Sequence, residues 1–358
     1  MEKLLFSKYV MGNIILENRI VMAPMTRSRA IGNIPNDLMA EYYSQRAGTG
    51  LIITEGTSPS PNGLGYARIP GLYNKEQVEG WKKVTDAVHK KGGKIFVQLM
   101  HTGRVSHPLN MPEGAKILAP SAVGLKGKIW TDQQQLQEYP VPNEMTTAEI
   151  KDAINEYVLS ARLAVEAGFD GVELHGANGY LIEQFINPTA NKRTDEYGNS
   201  AENRIRFALE IAEKTVKAIG KEKVGLRVSP YGAANDLEAY EGLEDTYALL
   251  AEKMNQIGIA YIHIVDHSAM GAPAVTDSVK NVIRKNFGGT IILAGGFDVE
   301  AAEKKLSAKK GDLIAFGRPF ISNPNLVEKL KTGAKLIDAD MSTFYTPGEK
   351  GYTDYPVE

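Results

Sequence analysis

In GFDGVELHGANGYLIEQF, residues 168 to 185, His175, Asn178 and Tyr180 stand close together at the end of an apolar run. His and Asn both offer N–H donors, and Tyr offers an O–H with an ordinary pKa of about 10. Two neutral donors side by side suit an oxygen that gains negative charge during a reaction, and a neighbouring phenol can supply a proton. Gly176 and Gly179 break any helix there and let the backbone crowd a flat ligand. Taken singly, the histidine also reads as a satisfied rim residue, and the tyrosine as the opening of a helix with its ring packed inward. Their grouping favours polarise-and-protonate chemistry.

Such a group needs a scaffold. Eight short apolar, β-branched runs recur: 19–23, 51–54, 95–99, 171–175, 224–228, 261–265, 291–294 and 313–316. Between them lie segments with apolar residues at three-and-four spacing, some opening on a capping residue such as Asn36 and closing on glycine such as Gly92. Strand and helix alternating eight times predict an α/β fold, a parallel (β/α)8 TIM barrel. An open doubly wound sheet is disfavoured, because neither G-x-G-x-x-G nor G-x-x-x-x-G-K-[ST] occurs. One domain over residues 1–358 is expected, with residues 1–18 as an N-terminal hairpin closing the barrel floor. Residues 101–146, long and rich in Pro and polar groups, interrupt the alternation after the third strand. Placed there, they form a lid-like insertion over the C-terminal mouth. The fourth run then delivers His175, Asn178 and Tyr180 to the catalytic rim.

Bulk properties narrow the chemistry. Net charge is −2 with neither sign dominant in either half, which argues against a nucleic-acid footprint or an anionic membrane surface. The chain has no cysteine, which removes disulfides, thiolate metal sites and Cys nucleophiles. No apolar stretch reads as a signal peptide or a bilayer span, so a cytoplasmic protein is expected. His263 and His267 sit four apart, but on a strand that spacing does not converge on one ion, so no metal is expected. His263 reads as core and His267 as a residue of the mouth.

Further motifs extend the picture: NRIVMAPMTRSRA, VQLMHTGRVSHP, VGLRVSP, ILAGGFD, IAFGRPFISNPNL and TFYTPGEKGYTDYP, with HGxxGYLxxQF and RTDxYGxSxENR between. In this order, from the first strand to the C-terminus, they resemble the Old Yellow Enzyme family of FMN-containing, NAD(P)H-dependent ene-reductases. The branch most similar contains alkene, maleimide and nitrate-ester reductases. The resemblance implies FMN as cofactor, NADH or NADPH as donor and ping-pong transfer through flavin N5. The acceptor would be an α,β-unsaturated carbonyl, maleimide or nitro compound, and the protein a monomer or homodimer. Pro24, Met25 and Thr26 would flank the isoalloxazine, with Thr26 bonding the flavin O4. Gly56 would admit close approach to that edge, and Gln98 would pair with the pyrimidine edge. Arg227 would place positive charge near N1 and O2, where reduced flavin is negative. The phosphate would rest on Gly295, Gly296 and Phe297 and on Ala315, Phe316, Gly317 and Arg318, in the loops after the seventh and eighth strands. His175 and Asn178 would grip the acceptor oxygen, Tyr180 would protonate carbon, and Tyr66 and Tyr345 would line the acceptor pocket.

Two positions depart from the family pattern. Met100 stands where many relatives carry Trp, which implies a wider acceptor pocket and altered facial selectivity. Asp266-His267 stands where relatives often show Glu-Pro. The alternative reading is a flavin-free barrel lyase or isomerase acting on a phosphorylated substrate, and a silent binding scaffold is a third. The lyase would need a Schiff-base lysine or carboxylate base inside the barrel, yet the strand ends carry Thr54, Gln98, His175 and Arg227.

Overall fold

Side chains alternate along a strand, so a run buried on both faces must be apolar at nearly every position. The runs identified above are, and the computed structural model, which describes residues 3–357, turns all eight into strands. Two short strands precede them, β1 (Tyr9–Met11) and β2 (Ile14–Leu16), paired antiparallel. Then follow β3 (Ile20–Met22), β4 (Leu51–Thr57) and β5 (Ile95–Leu99). The insertion carries β6 (Leu118–Ala119), β7 (Lys128–Thr131), β8 (Gln135–Glu138) and β9 (Asn143–Glu144). The barrel resumes with β10 (Gly171–Gly176), β11 (Val224–Val228), β12 (Tyr261–Val265), β13 (Thr290–Ala294) and β14 (Leu313–Phe316). The eight long-range partners are parallel and close on themselves, β14 pairing with β3.

Helices cover the outside: α1 (Asp37–Ser44), α2 (Lys75–His89), α3 (Thr147–Glu166), α4 (Leu181–Ile186) and α5 (Ala201–Ile219) in the first half. In the second come α6 (Leu243–Ile257), α7 (Asp277–Asn286), α8 (Val299–Ser307), α9 (Pro319–Ser322) and α10 (Leu326–Thr332). Six of these starts are fixed by side-chain caps; Asn36, for example, accepts from the N–H of Met39, and Thr146 with Glu149 forms a reciprocal capping box.

Two apolar layers result. Outward residues such as Val97, Val172, Leu226 and Ile264 pack under the helices. Inward residues such as Ile53, Phe96, Tyr261 and Ile292 fill the barrel, and Met11 and Leu16 of the hairpin join that inner cluster. The hairpin therefore plugs the floor, as expected. Large inner rings are matched by glycines opposite: a Cβ on Gly225 would overlap the Tyr261 ring, and one on Gly171 the Phe96 ring. The floor is packed and apolar, which leaves the C-terminal mouth as the place where polar groups accumulate.

Candidate active site

Just below the mouth the inward positions turn polar. Glu173 lies beside Gln98 and Gly225 in register, and His175 beside Arg227, which in turn faces His263. The buried Glu173 carboxylate accepts from Gln98 Nε2 (2.8 Å), Tyr261 Oη (3.1 Å) and His263 Nδ1 (2.9 Å). Burial opposes its ionisation, but His263, its hydrogen bond and Arg227 outweigh this and hold Glu173 below the usual carboxylate range. His263 itself is kept neutral chiefly by burial and donates its Nδ1–H. The core reading of His263 holds, and the two histidines part company: His267 points at Asn178 instead. No group of three metal-ligating side chains occurs among the described residues.

Above this layer the chain turns sharply through Ala177, Asn178 and Gly179. Asn178 has φ +59° and Gly179 φ +75°, a left-handed pair in which a Cβ on Gly179 would strike the Ala234 carbonyl. The strained turn is clamped. The Asn178 N–H donates to Ser229 Oγ, and its carbonyl accepts from Asn235 Nδ2, both at 2.8 Å. Glu183, one turn into α4, accepts from the Gly179 N–H (2.6 Å), Ser229 Oγ (2.8 Å) and Tyr247 Oη (3.2 Å). Burial pushes the Glu183 carboxyl up to about 7. Tyr180 takes the N-cap position of α4 and places its hydroxyl 3.0 Å from that of Tyr66. Its ring meets the His175 imidazole edge-on, centroids 4.9 Å apart.

Protonation states follow from burial. His175 is 2% exposed, and burial with Arg227 nearby drives its pKa well below the usual range, so the imidazole is neutral. Its Nδ1 has no hydrogen-bond partner among the described residues. Burial raises the Tyr180 phenol to about 12, the Tyr66 hydrogen bond opposing, so the phenol keeps its proton. The site thus offers uncharged donors.

Two cavities meet at this mouth and share Thr26, Met341 and Tyr345 as wall residues. One, of about 560 Å³, runs from Pro24, Met25 and Arg227 to Gly295, Gly296 and Phe297. Ala315, Phe316, Gly317 and Arg318 complete its wall, Gly317 standing beside Met25. FMN fits this donor set. The Arg227 Nε is buried without any partner, a charge aimed at something the chain does not supply. At the other end the backbone N–H groups of Gly296, Phe297, Gly317 and Arg318 donate to nothing among the described residues, a nest for phosphate oxygens. The second cavity, of about 830 Å³, lies between Tyr66, Tyr180 and Tyr345 on one side and Ile129, Trp130 and Tyr139 of the insertion on the other.

Five expected residues are wall residues of neither cavity: His175, in register with the wall residue Arg227, Asn178, bonded to the wall residue His267, and Met100, Gly56 and Gln98. Met100 does not reach the acceptor cavity: it is buried behind Tyr66 and Tyr180 with Leu64 and Ile69, so it shapes the pocket only through those rings. Gly56 is absent from the cavity walls, and the space of its missing side chain is filled by Met100. Gln98 donates one Nε2 hydrogen to Glu173, leaving its carbonyl and its second amide hydrogen for a ligand. Conversely, Glu183, Ser229 and Asn235 hold the Asn178 turn without having drawn notice in the sequence, and His267, read there only as a residue of the mouth, holds its side chain. Their partners lie 4 to 89 residues away, and no local motif announces them.

Residues 4–336 match the model of the NADH:flavin oxidoreductase / NADH oxidase family. The chain is 43% identical over 352 residues to a "Probable flavin mononucleotide-dependent alkene reductase" of Leishmania infantum, covering 97% of this chain and 95% of that one. It superposes with TM-score 0.93 on a morphinone reductase in complex with tetrahydroNAD, at 40% identity, covering 98% and 97%. An old yellow enzyme homologue from Zymomonas mobilis gives TM-score 0.94 at 38% identity, covering 98% and 99%.

Proposed function

The chain belongs to the NADH:flavin oxidoreductase / NADH oxidase family, the Old Yellow Enzyme homologues, and we propose that His175, Asn178 and Tyr180 carry out its acceptor chemistry. It is an FMN-dependent NAD(P)H oxidoreductase that reduces activated alkenes. When bound, FMN would supply the hydride chemistry between NAD(P)H and the acceptor, the two substrates using the same site in turn. Arg227, Pro24, Met25 and Thr26 hold the ring system, and Gln98 offers its carbonyl to the pyrimidine edge. The phosphate rests on the loops at 295–297 and 315–318.

The acceptor oxygen sits between the His175 imidazole and the Asn178 amide. Both donate without carrying charge, so electron density drawn onto that oxygen leaves the β-carbon electrophilic. Tyr180 then protonates the α-carbon. Its phenol, held protonated by burial and bonded to Tyr66, remains an acid throughout the working pH range. Tyr66, Tyr345 and the hairpin of the insertion exclude water, with residues 101–146 acting as a lid. We place the protein in the cytoplasm as a single-domain monomer or homodimer. Among the described residues, no helix is long and apolar enough to cross a membrane.

The observation that carries this reading is a pair of buried nitrogens without a hydrogen-bond partner among the described residues, His175 Nδ1 and Arg227 Nε, on adjacent strands in register, with Arg227 in the wall of the smaller cavity. Among the described residues no barrel strand ends in lysine, and the carboxylates near the strand ends are engaged: Glu173 by Gln98, Tyr261 and His263, Glu55 by Tyr43 and the Arg27 N–H, and Asp266 by Lys280. The test is half-reaction kinetics on purified flavoprotein. Asn178→Ala should slow reoxidation by an enone roughly 100-fold or more, since one oxyanion donor contributes about 2.7–4 kcal/mol. Tyr180→Phe should slow alkene reduction while leaving flavin reduction by NAD(P)H near the parent rate. Equal losses in both half-reactions of Tyr180→Phe would make that tyrosine structural.

A further inference from the structure

We propose that His267 is a positioning residue for this reaction: by donating its Nε2–H to Oδ1 of Asn178, it decides which end of that amide faces the acceptor. The inference rests on Asn178 being the acceptor-binding amide. An amide's two ends are nearly equal in size and opposite in polarity. Nδ2 attracts a carbonyl or nitro oxygen, and Oδ1 repels it. Shape alone cannot choose between them.

The structure shows the choice being made. Ser229 and Asn235 fix the Asn178 backbone on both sides, so the side-chain torsion is the only remaining freedom. Oδ1 lies 2.8 Å from His267 Nε2. An amide oxygen can only accept, so the imidazole is in its Nε2–H form. Nδ2 makes no hydrogen bond to the protein among the described residues, so both its hydrogens remain available to a ligand. His267 also lines the flavin cavity beside Arg227, on the wall opposite Arg318.

The charged groups around His267 keep this arrangement constant. Arg227 from β11 and Arg318 after β14 disfavour a further cation, while Asp266, bonded to Lys280 Nζ at 2.8 Å, favours one. Burial is the largest influence, and with the arginines it lowers the imidazole to about 4. Above pH 5 the ring is neutral, and its donor role does not switch.

The test measures enone-driven reoxidation of the reduced flavoenzyme, per bound FMN at pH 7, in wild type and in Asn178→Ala backgrounds. In the wild-type background, His267→Leu should slow reoxidation about tenfold, the scale of one lost orienting hydrogen bond. His267→Gln, which retains an N–H donor, should stay within about threefold of wild type. His267→Glu should be at least as slow as the leucine variant, because a carboxylate only accepts and turns Oδ1 towards the acceptor. In the Asn178→Ala background all three should be equal to their parent, since no amide remains to orient. The proposal is overturned if the leucine variant matches wild type. It is overturned equally if leucine and glutamine are alike slow, or if the leucine effect persists without Asn178. A wild-type enzyme that reoxidises no enone, or an Asn178→Ala variant at full rate, overturns the functional assignment beneath it and is told apart by the parent rates alone.

Discussion

A buried carboxyl with no cation beside it is the least comfortable residue in this site. Glu183 holds the Gly179 N–H, Ser229 and, through Ser229, the Asn178 turn. In an unfolded chain it ionises near 4.3, but folding holds it protonated to about 7, burial being the cause. The folded state therefore binds an extra proton between those values, and its stability falls as pH rises from about 4 to 7, then levels. The share due to Glu183 is about 4 kcal/mol, at 1.4 kcal/mol for each pKa unit. Glu55, likewise raised to about 7 by burial, adds a second share. Glu183→Gln should flatten the slope of denaturation midpoint against pH over that window by its own share, without abolishing it; an unchanged slope would falsify the buried-acid assignment. The trio proposed for the acceptor chemistry was legible because glycines and polar types cluster within one short loop. The clamp was not. His267 lies 89 residues from Asn178 and Asn235 lies 57 away, and only folding brings them together.

At the scale of elements, strands were easier to read than loops. Inward and outward faces of a barrel strand are both buried, so β-branched runs stand out, and β5, β11, β12 and β14 begin and end where the apolar runs do. The C-terminal strap was harder, because its anchors are arginines that resemble surface charge in a sequence. Arg27 donates to the carbonyls of Phe344 (3.1 Å) and Gly351 (2.7 Å). Arg29 donates to those of Thr343 (2.9 Å), Phe344 (2.7 Å), Gly348 (3.2 Å) and Lys350 (3.0 Å). Tyr352 stacks on Tyr42 at 4.0 Å beneath them. This strap carries Met341 and Tyr345 onto the wall where the two cavities meet. Hydrogen bonds from a charged donor contribute about 1.5–3 kcal/mol each, so Arg29→Ala should loosen the strap by about 2 kcal/mol or more. Limited proteolysis should then cut within residues 340–357 while the barrel stays intact, and the acceptor KM should rise. A strap as resistant to cleavage as in the parent would show that Tyr352 stacking alone holds it.

For the whole molecule, the decisive feature is that one end of the flavin cavity wants an anion and the other wants an electron-rich ring edge. Arg318 and the free N–H groups of Gly296, Phe297 and Gly317 form the first end, and the unpartnered Arg227 guanidinium the second. Glu173 offsets part of the Arg227 charge from below, yet it cannot satisfy the Nε that faces the mouth. A ligand bound only at the phosphate end leaves that nitrogen orphaned, and one bound only at the ring end leaves the nest idle. Stability should report both. At a hundredfold excess over its Kd, FMN added to the stripped protein should raise unfolding free energy by about 2.7 kcal/mol. At the same concentration riboflavin should raise it less, because the nest stays empty, and inorganic phosphate alone should raise it least. Arg318→Ala should narrow the gap between FMN and riboflavin while leaving riboflavin stabilisation unchanged. Equal stabilisation of the parent by FMN and riboflavin would mean that the loops at 295–297 and 315–318 bind no phosphate. Stabilisation by phosphate alone as large as by FMN would return the fold to the sugar-phosphate enzymes it was weighed against.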